Sequence, residues 1–419
     1  MASVPAAASP IVVVGAGQAG SDTVAALRVR GFAGRLTLIG DEDTVPYHRP
    51  PLSKGYIGGP AQDEERELEL RPASFYKDQD IELVPGDRAL ALDRERSRVV
   101  LASGRHVPYG RLVLATGARP RTLPVPGAGL SGVLSVRGLA DARALRAALR
   151  ASAHVVVIGG GFLGLEIAAA ARTSGAAVRV VETADRLLPR SVSTALSAVL
   201  ADEHRDRGVR VTTSREVAAL HGDADGHVRF VELADGERIP ADLVVVAIGA
   251  VPRTRLASEA GLAVRDGVLV DARLRTGDRS VHAVGDCARF PRPGGGGDLR
   301  LESVQNAADQ ARCVAAVICG EAVTYRAVPW FWTDQYALRL QIAGLTAGHD
   351  RAVTVGDPGG RRFSVLCFQG DRLLGAESVN RPADHATVRR LLAADRPGLT
   401  PDEAARPGFD LKAHQRQLA

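Results

Sequence analysis

Lysine is nearly missing from this 419-residue chain: it occurs only at positions 54, 77 and 412, so arginine carries almost all of the 53 basic charges. No dense basic run with interleaved aromatics exists, and against 48 acids the net charge is only +5. Both facts argue against a nucleic-acid-binding protein and leave an acidic protein partner open. Cysteine is scarce as well. Its four copies (Cys287, Cys313, Cys319, Cys367) form no C-x-x-C and none precedes residue 287, which rules out a disulfide framework and a zinc site. Long apolar runs are missing too. Stretches such as Leu243 to Val251 fall far short of the roughly 20 residues needed to cross a bilayer. The Ala/Pro-rich start, Met1 to Pro10, has no basic segment ahead of an apolar one. It reads as a frayed end rather than a signal peptide, with the cytoplasm as the default location.

What remains is ordinary for a globular protein, 45% hydrophobic and 24% charged, and the length suggests about two to three domains. Two segments share one plan. Ile11-Val-Val-Val-Gly15-Ala-Gly17-Gln-Ala-Gly20 leads into an amphipathic stretch to Arg30 and a second apolar run, Leu36 to Ile39. Val155-Val-Val-Ile-Gly159-Gly-Gly161-Phe-Leu-Gly164 leads into a helical run to Arg172 and then Ala177 to Val181. Each reads as strand, glycine turn, helix, strand, the context that a G-x-G-x-x-G fingerprint requires. Gly15 and Gly159 allow the tight turn, Gly17 and Gly161 let backbone approach a pyrophosphate, and Gly20 and Gly164 let helix and strand pack closely. The phosphate then rests on a helix N-terminus, where unpaired N–H groups favour an anion. An α/β protein with two Rossmann-like dinucleotide sites is the expectation.

The second strand of each unit should end near a ribose-binding acid. Glu182 closes the second unit's strand 23 residues after Gly159, where a carboxylate would bind a ribose 2′-OH and repel a 2′-phosphate, favouring NADH over NADPH. In the first unit Gly40 holds the comparable place, so Asp41, ahead of Glu42, is the expected partner. Further buried strands are read at Arg111 to Gly117, Asp242 to Gly249 and Ser280 to Asp286. The span from Glu302 to Cys319 reads as a helix with Ala308, Ala311, Ala315 and Ile318 on one face and Gln305, Asp309 and Arg312 on another. A flexible loop is expected from Pro291 to Asp298, and alternating runs after Pro329 suggest a mostly β C-terminal unit.

Taken in order, Pro46-Tyr-His-Arg49-Pro-Pro-Leu-Ser-Lys54, both fingerprints, Ala115-Thr116-Gly117-Ala-Arg-Pro, Val284-Gly-Asp286, Glu302-Ser-Val-Gln-Asn306 and Pro329-Trp-Phe-Trp-Thr-Asp-Gln-Tyr336 carry a resemblance. The chain resembles, over nearly its whole length, the FAD-dependent, NADH-using ferredoxin reductases of the putidaredoxin-reductase-like kind, which feed bacterial monooxygenases and dioxygenases. The resemblance implies a glutathione-reductase-like fold. Residues 1–115 and 248–325 would form a discontinuous FAD domain, 116–247 an inserted NADH domain, and 326–419 a smaller α+β domain. It implies FAD contacts at Ala19, Asp41, Arg49, Lys54, Ala89, Arg137, Asp286 and Val304, beside Gly15, Gly17, Gly20, Thr116 and Gly117. Gly159, Gly161, Phe162, Leu163, Gly164, Glu182 and Gly249 would serve the nicotinamide nucleotide, with Phe162 a ring without the tyrosine hydroxyl often found there. Lys54 and Glu166 would be the catalytic pair beside flavin N5, where a hydride from nicotinamide C4 must arrive in van der Waals reach. Trp332 would lie near the flavin edge where single electrons leave.

The expected activity is that of an NADH-dependent ferredoxin reductase passing electrons to a [2Fe-2S] ferredoxin that supplies an oxygenase, with Arg312 and Arg339 as docking charges for an acidic partner. Disulfide reductases of the same superfamily need cysteine after the first unit's second strand, and none is there. A rubredoxin or other small-carrier reductase stays open, as does an NADH-binding sensor or scaffold with little turnover.

Overall fold

A computed structural model describes residues 9–58, 64–293, 295–394 and 398–418. The expected frayed start therefore lies mostly outside the described residues. The chain forms two compact units: 1–48 with 62–119 and 250–327, and 49–61 with 120–249 and 328–419.

The first unit is built on a five-stranded sheet in the order Val281–Ala283, Arg111–Leu114, Ile11–Val14, Leu36–Ile39, Ile81–Val84, parallel throughout. Strands of four consecutive apolar or β-branched residues suit a sheet covered on both faces, and those at 11–14 and 36–39 are buried at every position. Alternate side chains feed two cores. Ile11, Val13, Leu36 and Leu38 pack with Val24, Leu27 and Val314, whereas Val12, Val14, Leu112 and Leu114 pack with Val99, Leu101 and Val107. Helix Gln18–Val29 crosses between the first two strands and packs against helix Val304–Ile318. The latter begins at Val304, two residues later than Glu302, because the Ser303 hydroxyl caps it, accepting from the Asn306 N–H at 3.0 Å.

Two sequence expectations here are modified. Gln305, grouped with the polar face of that helix, is buried. The helix also buries Asn306 and Gln310, each tied to loop backbone: Asn306 Nδ2 donates to Leu301 O at 3.1 Å, and Gln310 Oε1 accepts from Gly285 N at 2.7 Å. The loop expected at 291–298 sits in a hairpin, with Ala288–Pro291 pairing antiparallel with Asp298–Leu299; its Gly294 lies outside the described residues.

The second unit repeats the parallel plan in the order Arg210–Thr212, Ala177–Val181, His154–Ile158, Leu243–Val246, Val133–Leu134. It also holds a five-stranded antiparallel sheet with Trp330–Gln335 at one edge and Arg351–Asp357 at the other. A buried carboxylate joins these two parts. Glu377, fully buried in strand Arg372–Val379, accepts from Ser193 N at 2.8 Å and from Ser193 Oγ at 2.6 Å, where Ser193 caps helix Thr194–Asp206. Burial pushes its pKa up against the pull of those donors.

Candidate functional site

In the first unit the glycine turn follows from steric demand. Gly15 has φ +114°, and a Cβ there would sit 2.1 Å from Ala115 O; a Cβ on Gly20 would sit 1.9 Å from Gly15 O. Strand, turn and helix are in backbone contact, so only glycine fits. Gly17 differs. It caps helix Gln18–Val29 without a side-chain hydrogen bond, and a Cβ on it would meet nothing within 4 Å. Open space in front of unpaired N–H groups at a helix start suits the pyrophosphate of a dinucleotide. A side chain at 17 would fill that cradle.

Several of the other expected residues lie beside this turn. Ala19 is buried, and a Cβ on Gly285 (φ +74°) would lie 3.0 Å from its Cβ, so the 3-10 turn carrying Asp286 runs beside the fingerprint. Val304 opens its helix one turn after the strand that ends at Leu299. Thr116 donates through Oγ1 to Arg253 O at 2.7 Å, and Gly117, at φ +66°, accepts from Arg253 N at 2.9 Å. Asp41 is 43% exposed and takes the Arg253 guanidinium at 2.7 Å, while Glu42 accepts from Tyr47 OH at 2.5 Å. Gly40 stands in the usual acid's place because a Cβ there would press to 2.8 Å from Ala16 Cβ. Ala89 begins the half-buried strand Ala89–Asp93 at an irregularity in its pairing.

In the second unit the same logic returns. Gly159, at φ +108°, and Gly164 would place a Cβ 2.5 Å from Ala247 O and 2.1 Å from Gly159 O, whereas Gly161 faces open space as the cap of helix Phe162–Thr173. Glu182 Oε2 accepts from Gly160 N at 2.7 Å and Oε1 from Ala184 N at 2.9 Å, so the carboxylate is fixed beside the turn. Leu163 is half-buried next to Gly164, and Gly249, at φ +99°, has open space around it.

Phe162 and Glu166 lie four residues apart on one helix face. That face meets strand Trp330–Gln335: the rings of Phe162 and Phe331 are 4.6 Å apart, and Glu166 Oε1 accepts from Thr333 Oγ1 at 2.6 Å. Arg49 opens the 3-10 helix Pro50–Ser53 and donates to Arg137 O at 2.8 Å. Lys54 follows it, placing Nζ 2.9 Å from Glu166 Oε1. Ser53 Oγ donates to Glu166 Oε2 at 2.5 Å. Glu166 is 6% exposed, and an ammonium and two hydroxyls therefore satisfy a carboxylate that would be costly to bury alone. Trp332 stands next to Thr333 with its ring 5.6 Å from that of Trp330.

Sequence reasoning missed Ser53, Thr333 and Arg253. The first two stand inside the quoted motifs, beside Lys54 and Trp332, but nothing in their spacing signals a shared carboxylate. Arg312 is exposed, in the first unit, and paired with Asp309; Arg339 is exposed in strand Leu338–Gly344 of the second. Burial raises the Cys287 and Cys313 thiols above their usual range, the opposite of what a redox thiolate needs. Among the described residues no cluster of side chains is arranged to hold a metal, and no helix is long and apolar enough to cross a membrane.

Two glycine cradles on two parallel sheets, with a half-buried lysine paired to a buried glutamate on the helix that opens at the second, define an oxidoreductase fold for two dinucleotides. The chain belongs to the pyridine nucleotide-disulphide oxidoreductase family, whose model matches residues 9–311, with a reductase C-terminal model matching 330–415. Within that family it is 48% identical over 403 residues to rhodocoxin reductase of Rhodococcus erythropolis, covering 96% of this chain and 93% of the relative. The ferredoxin reductase for the CYP199A2 system from Rhodopseudomonas palustris superposes with a TM-score of 0.93 at 45% identity, over 96% of this chain and 99% of that one. The reductase in a covalent putidaredoxin reductase–putidaredoxin complex superposes at 0.94 with 39% identity, over 98% and 99%.

Proposed function

We infer that this chain is the FAD-bearing reductase of an oxygenase system, taking electrons from NADH and delivering them singly to a [2Fe-2S] ferredoxin. The observation that carries the reading is Lys54 paired with buried Glu166 on the helix that opens at the Gly159–Gly164 cradle. When bound, FAD supplies the exchange between a two-electron donor and a one-electron acceptor. The chain's own residues bind, orient and set charge.

We assign FAD to the Gly15, Gly17 and Gly20 cradle with Ala19, Asp41, Ala89, Thr116, Gly117, Asp286 and Val304, and with Arg49, Lys54 and Arg137. Residues 1–115 and 248–325 make up that domain in this proposal, with 116–247 for NADH and 326–419 as the C-terminal domain. The open space before Gly17 and before Gly161 supports one dinucleotide on each helix start. NADH takes Gly159, Gly161, Phe162, Leu163, Gly164, Glu182 and Gly249, with the Glu182 carboxylate toward the adenosine ribose. Lys54 and Glu166 form the catalytic pair at the reacting end. Its geometry supports a positioned positive charge, the Nζ held between Glu166 Oε1 at 2.9 Å and Pro50 O at 3.3 Å. Trp332 is assigned to the exit edge, and Arg312 with Arg339 to docking. Four unpaired cysteines support a reducing compartment, and we place the protein in the cytoplasm.

The test is NADH-dependent reduction of purified [2Fe-2S] ferredoxin against rubredoxin, after quantifying bound flavin. Fast transfer to ferredoxin is expected. Faster transfer to rubredoxin would make the protein a reductase of that carrier, and negligible turnover with both would leave only a nucleotide-binding role.

A further inference from the structure

Beyond Thr333 the Glu166 cluster continues inward through side chains that the reaction itself does not use. Thr333 Oγ1 also lies 3.3 Å from Gln335 Nε2, and Gln335 Oε1 lies 3.0 Å from His204 Nε2. All four residues belong to the second unit and are buried; Thr333 and His204 have no solvent exposure. They come from three elements: helix Phe162–Thr173, strand Trp330–Gln335 and helix Thr194–Asp206.

The hydrogen-bond chain has only one consistent direction. Glu166 faces the Lys54 ammonium as a carboxylate and accepts only. The Thr333 hydroxyl must then spend its single proton on Glu166 Oε1, which leaves its lone pairs to accept from Gln335 Nε2. That orients the Gln335 amide with Oε1 toward His204, and an amide oxygen cannot donate, so His204 must carry its proton on Nε2. The other ring nitrogen, Nδ1, is then a bare acceptor, and it is the His204 atom that has no hydrogen-bond partner. Burial holds this imidazole below its usual pKa, which keeps it neutral as the scheme needs. Every donor points toward Glu166, so the dipoles add and each bond strengthens the next in a site shielded from water.

We propose that His204, Gln335 and Thr333 form a one-way hydrogen-bond relay that positions Glu166 Oε1 to receive Lys54, making His204 a positioning residue for the reductase reaction although it touches neither substrate nor cofactor. This rests on the reading of Lys54 and Glu166 as the catalytic pair. Thr333 matters most because it bonds the same oxygen that takes Lys54. The relay explains why a strand otherwise rich in large aromatics places Thr333 and Gln335 on its buried side.

The proposal is tested by selective 15N-histidine NMR together with stopped-flow flavin reduction by NADH, on flavin-loaded wild type, T333V, T333S, H204L and H204Q. In wild type His204 should show a single Nε2–H tautomer. In T333V, where Gln335 loses its acceptor, that signature should relax to a mixture of tautomers, and T333S should restore it. Flavin reduction should slow about tenfold in T333V and about threefold in H204L, with T333S and H204Q within about twofold of wild type. A wild-type His204 carrying its proton on Nδ1, a tautomer unmoved by T333V, or H204L reducing at the wild-type rate would each overturn the relay. K54M run alongside separates the two levels: slow K54M with normal H204L removes the relay alone, whereas normal K54M removes the catalytic pair on which it stands. If T333V fails to retain flavin, the H204L and H204Q comparison decides.

Discussion

Lys54 Nζ lies 2.9 Å from Glu166 Oε1, at the end of a 3-10 helix on one side and in the second turn of a helix on the other. Few positions in the chain carry a lysine at all, so this amine is not one of many interchangeable surface charges. Lys54→Met should slow flavin reduction by NADH on the order of a hundredfold while weakening FAD retention far less, because the lost charge acts mainly around hydride transfer. Stopped-flow absorbance of the flavin measures the first and the flavin-to-protein ratio the second. An unchanged reduction rate would demote Lys54 to a packing role.

The two kinds of glycine in the first turn predict opposite phenotypes. Gly15→Ala forces a Cβ against Ala115 O in a backbone conformation reserved for glycine. It should cost at least about 2 kcal/mol of stability. Gly17→Val has room within the protein, so its melting temperature without flavin should match wild type while FAD is no longer retained. Thermal melts of the apoprotein and flavin absorbance separate these outcomes. A Gly17→Val protein that keeps FAD would move the cofactor elsewhere.

Glu182 should set the choice of nicotinamide nucleotide. With its carboxylate held against the Gly160 N–H, an added 2′-phosphate meets a negative charge that cannot swing away. NADH should exceed NADPH by a hundredfold or more in kcat/KM, roughly the consequence of a few kcal/mol of repulsion and lost hydrogen bonding. Glu182→Gln should narrow that ratio about tenfold, chiefly by improving NADPH. Equal kcat/KM for the two nucleotides in wild type would defeat this assignment.

Docking should depend on salt. Arg312 is already paired with Asp309, and an exposed pair of this kind contributes only about 0 to 1 kcal/mol, so its value to a partner lies in steering encounter. Arg312→Glu combined with Arg339→Glu should lower ferredoxin-dependent transfer and flatten its dependence on ionic strength, with ferricyanide reduction by NADH near normal. Loss of both activities together would mean that the flavin site was damaged, and loss of neither would put the docking face elsewhere.

His282 sets a pH limit. It is buried in strand Val281–Ala283, and desolvation, reinforced by Arg111 and Arg275, pushes its pKa down to about 4. The unfolded chain, with an ordinary histidine near 6.5, then binds more protons than the native state between pH 6.5 and 4. Stability from this group is complete above pH 6.5 and falls as pH drops toward 4, by about 3 kcal/mol in all. His282→Leu should flatten that part of a denaturation series run from pH 7.5 to 4.5. An unaltered profile would show that other groups control the acid limb.

Much of this protein follows from local sequence. Four consecutive apolar residues before a glycine turn that opens a helix read as a doubly covered strand, and the Gly15 and Gly159 turns must be glycine because the carbonyl just past the neighbouring strand occupies the side-chain position. Short-range rules of this sort also place the helices at 18–29, 162–173 and 304–318. The absence of early cysteines, which excludes thiol chemistry, needs no structure at all. What tertiary packing decided is which distant side chains meet. Nothing near Glu166 in sequence announces that it will be closed over by Ser53, 113 residues earlier, and by Thr333, 167 residues later. His204 carries no local signal either, since a histidine inside an amphipathic helix looks the same whether it faces water or a buried amide. Glycine constraints are set by backbone geometry over a few residues and so are written along the chain. A buried carboxylate must instead collect its donors from whatever elements the fold brings alongside it, and that requirement is met only in three dimensions.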